Sequence, residues 1–319
     1  MLSSTTQARE SVADSGHVGQ PTSGRSVHCP DVPIAVLTFD FDPYLRLGSD
    51  LALRWQTLAL AVVIAAVLVA AGLAARRVGL RADDLLSIVI GAVPGAVVSG
   101  RLAFALTHPA TLGWDPARLL DPALGGIDLA AAVVGGIASG AFIAGLLGAP
   151  IGRWAHVAAV PLLVAIGAGK LTMVLGGSGQ GLPDEAAWAT AYGGAGPWGS
   201  LAAALPSHPA QAYEGLATLL LATLLALALA GGAFARRDGR ALAFAVVGWA
   251  LIRASVAVTW RDPVAPAPLG TTGWVAIIVA ISAVAVLVLA TIGALRTTGT
   301  TARAEDDLSW PDPESRPRF

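Results

Sequence analysis

Leu205–Gly232 reads LPSHPAQAYEGLATLLLATLLALALAGG, and four polar side chains, His208, Gln211, Tyr213 and Glu214, stand there directly against a long apolar run. A transmembrane helix needs about 20 mostly apolar residues, and the chain from Ala210 onward supplies them. Working outward, runs of the same kind recur near 53–75, 84–107, 127–149, 156–176, 210–234, 241–260 and 273–295. The fold class that follows is all-α: a polytopic membrane protein with about seven transmembrane helices. Composition agrees. The 319 residues are 55% hydrophobic and only 13% charged, where a soluble domain carries roughly a quarter charged residues. Mean hydropathy is +0.68. Ala, Gly and Val dominate the apolar set, and small residues let membrane helices approach closely. A net charge of -1 gives no footing for a bulk nucleic-acid partner. The single cysteine, Cys29, excludes an internal disulfide framework and a cysteine-based zinc site. Nothing in the pattern implies a metal or a cofactor.

Arginines set the expected orientation. Arg76, Arg77 and Arg81 follow the first run, Arg153 the third, and Arg236, Arg237 and Arg240 the fifth. The alternate connections hold few. By the positive-inside rule the Arg-rich connections face the cytoplasm, with the N-terminus outside and the C-terminus inside. Residues 1–32 are polar, lack the apolar stretch of a cleavable signal peptide and read as a disordered extracytoplasmic tail. Residues 33–296 form the transmembrane domain, and 297–319 read as a disordered cytoplasmic tail. No internal repeat is evident, which weakens a transporter reading.

Three cations fall inside runs: Arg101 in VVSGRLAFAL, Lys170 in AIGAGKLTMVLGG and Arg253 in GWALIRASVAV. Each costs a few kcal/mol or more at membrane depth unless paired or hydrated. The acidic residues Asp128, Asp184, Glu185, Glu214 and Asp262 read as lying outside these spans. Buried cations without buried anions call for an anionic ligand, and a phospholipid phosphate suits the arginine fork. The plainer alternatives are snorkelling of Arg101 and Lys170 to an interface, or a structural bond from Arg253 to Asp262 or Glu214. In SHPAQAYEG, Pro209 fits a first helical position and Gln211 a capping position near the third. His208, Gln211 and Glu214, spaced by three, share one broad helix face. Tyr213 suits the aromatic belt, as do Trp188 and Trp198 in the connection before it. A well-capped interfacial helix would carry the same letters. GGSGQG lacks the lysine and preceding strand of a phosphate loop and reads as a flexible turn. RDPVAPAPLGTTG reads as a loop over the site.

HPAQAYE resembles the HPSQLYE motif of bacterial prolipoprotein diacylglyceryl transferases, and other segments line up in the same order. FDPYLRLGSDLALRWQTLAL resembles that family's entry into an RWYG-like first helix. GAVVSGRLAFAL resembles its GARLGYVLF helix. GAGKLTMVLGGSGQGLPDEAAWATAY resembles its GRxGNFINGExxGxPT signature, and GWALIRASVAVTWRDP its RFxxEFFRxPD helix. The resemblance covers roughly residues 33 to 295. It implies transfer of a diacylglyceryl group from phosphatidylglycerol to the lipobox cysteine of prolipoprotein signal peptides, in the bacterial plasma membrane, without a cofactor. It implies headgroup contacts at Arg101, Lys170, Gly181, Gln211, Tyr213 and Arg253, and catalytic roles for His208, Glu214 and Arg253, with His208 or Glu214 as base.

The chain also departs from that family. Val134 stands where the HGG motif has histidine, Met173 where the signature has asparagine and Ser178 where it has glutamate. Ala257 replaces the glutamate after the late arginine, and Gln56 the tyrosine after RW. Lys170 keeps the charge of the signature arginine without its fork. A divergent transferase is therefore the first expectation. A lipid-binding or regulatory homologue with altered chemistry is the second, and a transporter the third.

Overall fold

The computed structural model describes residues 36–47, 51–109, 117, 121, 126–194, 196–261 and 269–307. The expected N-terminal tail with Cys29, the last twelve residues (308–319), Asp262 and most of the Pro-rich loop lie outside these. Seven helices among the described residues are long and apolar enough to cross a membrane. They are α1 (Trp55–Arg77), α2 (Ala82–Thr107), α3 (Leu129–Leu146), α4 (Ile151–Thr172), α5 (Ala210–Ala230), α6 (Arg240–Ala257) and α7 (Gly270–Asp307). A 3-10 turn, Met173–Gly176, extends α4. The expected spans agree in order and number. The last helix continues past residue 296 to Asp307.

Four short strands were not foreseen. β2 (Tyr44–Leu47) and β3 (Leu51–Arg54) pair antiparallel, and β3 runs straight into α1. β1 (Leu37–Phe39) pairs in parallel with β4 (Thr190–Tyr192). Strands of three or four residues show no alternation to read.

The helices pack in a manner suited to lipid. Large apolar side chains point outward and small ones inward: Leu220 and Leu227 of α5 are 60% and 65% exposed, while Ala222 is 3% exposed. In hydrocarbon no hydrophobic force joins helices, so close backbone contact must do so. α2 lies along α3 in this way. A Cβ at Gly95 would fall on Ser139 Oγ and on the Gly135 carbonyl, and one at Gly135 on Ser99 Oγ. Ser99 Oγ donates across the helix pair to the Ala131 carbonyl at 2.9 Å. Gly95→Leu is accordingly expected to cost about 1–3 kcal/mol from overpacking, read as a lowered thermal midpoint in detergent. The lipid-facing Leu86→Val should leave that midpoint unchanged.

α4 and α5 touch in the same fashion. A Cβ at Gly167 would lie 3.0 Å from the Gly215 carbonyl, and one at Gly215 would lie 2.9 Å from the Gly167 carbonyl. Lys170 is one turn beyond Gly167, and Glu214 immediately precedes Gly215. The closest approach of these helices thus sits beside the charged residues of both.

Candidate functional site

The chain end of α4, the start of α5 and the end of α6 bring three charged side chains together. Glu214 is fully buried, Lys170 is 6% exposed and Arg253 4%. Lys170 Nζ lies 2.9 Å from Glu214 Oε2. Arg253 Nη1 donates to Glu214 Oε1 at 3.1 Å and to Oε2 at 3.2 Å. Trp249, one turn before Arg253, donates its indole N–H to Oε1 at 3.3 Å. The Trp260 ring covers both cations, 4.2 Å from Lys170 Nζ and 5.1 Å from Arg253 Cζ. The sum of formal charges is one positive unit, two cations against one carboxylate.

This corrects two expectations. Glu214 is not outside the spans but buried among them, and two of the three cations do have a buried anion. Arg253 takes Glu214 as its partner. A carboxylate held by two cations and an indole is a poor general base. Arg101, on α2, is also buried, but its guanidinium donates to the backbone carbonyls of Gly126, at 3.3 Å, and Asp121. It ties the connection before α3 to α2 rather than joining the ion cluster around Glu214.

The HPAQAYE residues divide between two networks. Pro209 caps α5 and Ala210 opens it, one position later than expected, and the cap forms no side-chain hydrogen bond. His208 therefore precedes the helix. Its Nδ1 lies 3.2 Å from Asp184 Oδ2 and 3.4 Å from Tyr213 Oη, and its side chain is 29% exposed. Tyr213 meets His208 rather than standing apart. Gln211 is fully buried on the same side of α5 as Glu214, and its Nε2 donates to Tyr192 Oη at 3.4 Å. It reaches inward and does not cap the helix.

Residues 177–208 are stitched over this end of the bundle. Gly177 closes the 3-10 turn in a left-handed conformation, φ 62°, which glycine adopts at no steric cost. Gly181 sits where only a hydrogen fits: a Cβ there would strike the Thr259 carbonyl and lie 3.0 Å from His208 Cβ. Its N–H donates to the His208 carbonyl at 2.7 Å, and its carbonyl accepts from Arg261 Nε at 2.5 Å. Gly181 therefore holds His208 against the end of α6 through its backbone. Arg261 also reaches Ser200 Oγ at 3.2 Å and Ser207 Oγ. Trp198, expected at the interface, instead packs on Phe41 and Tyr192 and donates to the Gly193 carbonyl at 2.8 Å. Trp188 remains 58% exposed.

Burial pushes the Tyr192 phenol up from 10.0 to about 12, opposed by its hydrogen bond with Gln211. A phenol with a raised folded value stabilises the fold below pH 10 and loses that contribution as pH rises from 10 toward 12. The thermal midpoint should fall across that window, and Tyr192→Phe should flatten the fall.

Asp184, Trp249, Trp260 and Arg261 were not singled out from sequence. Trp260 and Arg261 lie in the TWRDP segment that resembles the family's late helix, which was the available signal. The replaced positions are also placed. Gln56 accepts from Ser178 Oγ at 3.1 Å, so two substituted residues bond to each other. Ala257 lies against Gly273 of α7, where a Cβ would sit 2.9 Å from its own. Val134 lines an apolar cavity of about 440 Å³ with Ile137, Ala155, Val246 and Val279, rimmed by Asp238 and Arg240.

The geometry is that of a multi-pass membrane protein with a cationic cradle beneath a folded cap. Residues 44–289 match the profile of the prolipoprotein diacylglyceryl transferase family. The chain belongs to that family. A phosphatidylglycerol–prolipoprotein diacylglyceryl transferase of Geobacter sulfurreducens is 28% identical over 179 residues, covering 54% of this chain and 65% of that protein. The chain thus spans less than two thirds of that relative's length.

Proposed function

We propose that this chain transfers the diacylglyceryl group of phosphatidylglycerol to the lipobox cysteine thiol of prolipoproteins, in the bacterial plasma membrane. One observation carries the reading: a buried Lys170–Glu214–Arg253 cluster with net positive charge under the HPAQAYE segment. With the Arg-rich connections in the cytoplasm, that cluster and residues 177–208 lie toward the outer face.

The chemistry follows from what each group has left to give. Arg253 spends Nη1 on Glu214, and its buried Nε has no hydrogen-bond partner among the described residues. Lys170 keeps two N–H donors beyond its bond to Glu214. Those donors hold the lipid phosphate and stabilise the charge it gains as it leaves. His208 turns Nδ1 toward Asp184, which leaves Nε2 to accept the thiol proton. The resulting thiolate, the reactive form of cysteine, attacks the terminal glyceryl carbon of the diacylglyceryl group. A C–S bond forms, the C–O bond to phosphate breaks, and glycerol phosphate departs with the electron pair. Glu214 and Asp184 are positioning residues. Tyr213 Oη meets the same Nδ1, at 3.4 Å.

A second reading is favoured by Val134. The residue at the place of the family histidine is a valine that lines an apolar cavity, which fits a homologue that holds lipid without transferring it. Purified protein in nanodiscs containing phosphatidylglycerol, given a lipobox peptide, separates the two. The expected result is a peptide mass raised by one diacylglyceryl group. An unmodified peptide beside an active control enzyme would leave the lipid-binding reading.

A further inference from the structure

The cavity beside Val134 is apolar along its length and charged at one end. Its walls come from α3, α4, α6 and α7, and it encloses about 440 Å³, within the roughly 300–1,000 Å³ of small-ligand sites. Asp238 and Arg240 stand where α6 starts. Among the described residues, Ser282 is the one other polar side chain on the walls. Its Oγ is spent within its own helix, donating to the Ile278 carbonyl at 2.8 Å. From Arg240 to Val246 the wall climbs about 9 Å along α6, and Ile137 meets it from the middle of α3. Val134, Ile151 and Val286 are exposed, so the cavity is not sealed from the surroundings of the bundle.

The charged end is positive. Arg236 and Arg237 are exposed just before it, and with Arg240 they outnumber Asp238 three to one. Asp238 takes the Arg240 Nε, at 2.9 Å, which leaves the Nη donors for another partner. Close backbone contact fixes this end, because a Cβ at Gly152 of α4 would lie 3.1 Å from the Asp238 carbonyl carbon. It is also remote from the cation cradle. Arg240 and Arg253 are thirteen residues apart on α6, about 20 Å along a helix.

We propose that this cavity seats one acyl chain of an anionic phospholipid from the cytoplasmic leaflet, with the lipid phosphate at Arg240. This lipid is a second one, apart from any at the cradle, and its seat does not depend on transfer. With the Arg-rich connections in the cytoplasm, the charged end lies at the inner headgroup level and the apolar walls lie within the hydrocarbon core. A polar ligand would find nothing to bond along those walls. An empty void would forfeit van der Waals contacts, and hydrocarbon is the filler a membrane supplies. Charge then selects among lipids. Basic pockets between membrane helices on the cytoplasmic side take anionic headgroups, whereas the ammonium of a zwitterionic lipid would meet Arg236 and Arg237. A chain seated there fills the space where α3, α6 and α7 face one another.

The test uses two probe lipids that share one acyl chain, with a diazirine midway along it, and differ in headgroup: phosphatidic acid and phosphatidylcholine. Full-length protein in nanodiscs is irradiated with either probe, and adducts are mapped by peptide mass spectrometry. Phosphatidic acid should mark Ile137, Val246 and Val279 about fivefold more than phosphatidylcholine does, the scale set by one arginine near an anionic headgroup. Arg240→Gln should bring that ratio toward one. Ala243→Leu fills the cavity with a good helix former. It should remove these adducts and spare those on outward-facing residues such as Ile281. Without anionic lipid its thermal midpoint should match or exceed that of the wild type, as cavity filling does.

Equal marking of the cavity by the two probes in the wild type would overturn the proposal, and this outcome needs no variant. Adducts confined to outward-facing residues would do the same, as would cavity adducts that survive Ala243→Leu. A ratio unchanged in Arg240→Gln would remove the phosphate from that residue. Should Ala243→Leu fail to fold, Ala138→Leu closes the same space from α3. No acceptor peptide is present, and lipid at the cradle would mark residues about 20 Å away, so the seat and the transfer reading fail separately. Cavity adducts in a protein that transfers nothing would keep the seat and remove only the enzymatic reading.

Discussion

Arg253→Ala should reduce diacylglyceryl transfer by at least ~100-fold, the order of loss when one charge-stabilising donor is removed from a transition state. The protein should still insert and purify at a normal level, because Glu214 keeps Lys170, at 2.9 Å, and the Trp249 indole, at 3.3 Å, as partners. Arg253→Lys should recover part of the rate, since a point charge returns without the planar fork. The measurement is the peptide mass assay with initial rates at saturating phosphatidylglycerol. Lys170→Arg is the natural companion, because it supplies a fork where this chain has an ammonium. It should match or exceed the wild-type rate if Lys170 meets phosphate. A fall in protein level in Arg253→Ala, with the surviving fraction fully active, would assign Arg253 to structure and remove it from the site.

Glu214→Ala should act on the fold before it acts on the rate. The carboxylate is the shared counter-ion of two buried cations. Removing one partner of a buried ion pair costs about 3–5 kcal/mol, because a charge is left uncompensated. A thermal or denaturant midpoint in detergent reads this directly. Removing Lys170 as well, in Lys170→Met with Glu214→Gln, should recover part of the loss, since neighbours in one network are not additive. A Glu214→Ala protein with an unchanged midpoint would show that the cations find other partners. It would also return Glu214 to consideration as the base.

The membrane helices were legible because each is a long apolar run bounded by arginine, glycine or proline, and length alone separates such runs from core helices. Lys170 and Arg253 were legible as misplaced charges. Their partner was not. Glu214 stands just past the first turn of α5, close to His208 and Tyr213 in sequence, and position alone placed it at the interface. The close approach of Gly167 to Gly215 sets this part of α5 beside the last turn of α4. The same holds for Trp260, whose ring reaches two cations from a position just past the end of α6. Arg101 was legible as a buried charge, but its contacts to the Gly126 and Asp121 carbonyls were not, because they come from a connection whose path no periodicity reveals. The cap from Gly177 to His208 has no regular pattern, and its shape comes from Arg261 and isolated backbone bridges. Ala257 illustrates how a substitution reads differently in three dimensions. It packs beside Gly273, where a Cβ on the glycine would lie 2.9 Å from its own, so the position serves helix contact between α6 and α7.

The meeting of Gly167 and Gly215 has a mechanical side. Two backbones in contact form a pivot, because neither helix can approach further there, with Leu171 and Leu219 packed beside the contact. Bilayers differ in thickness, and spans adapt by tilting. A pivot placed one turn from Lys170 and next to Glu214 confines the swing to the far ends of α4 and α5. The carboxylate and the ammonium then keep their spacing as the surrounding membrane thins or swells. Growth temperature and lipid composition should therefore alter how readily a lipid enters this protein more than how it is held once inside.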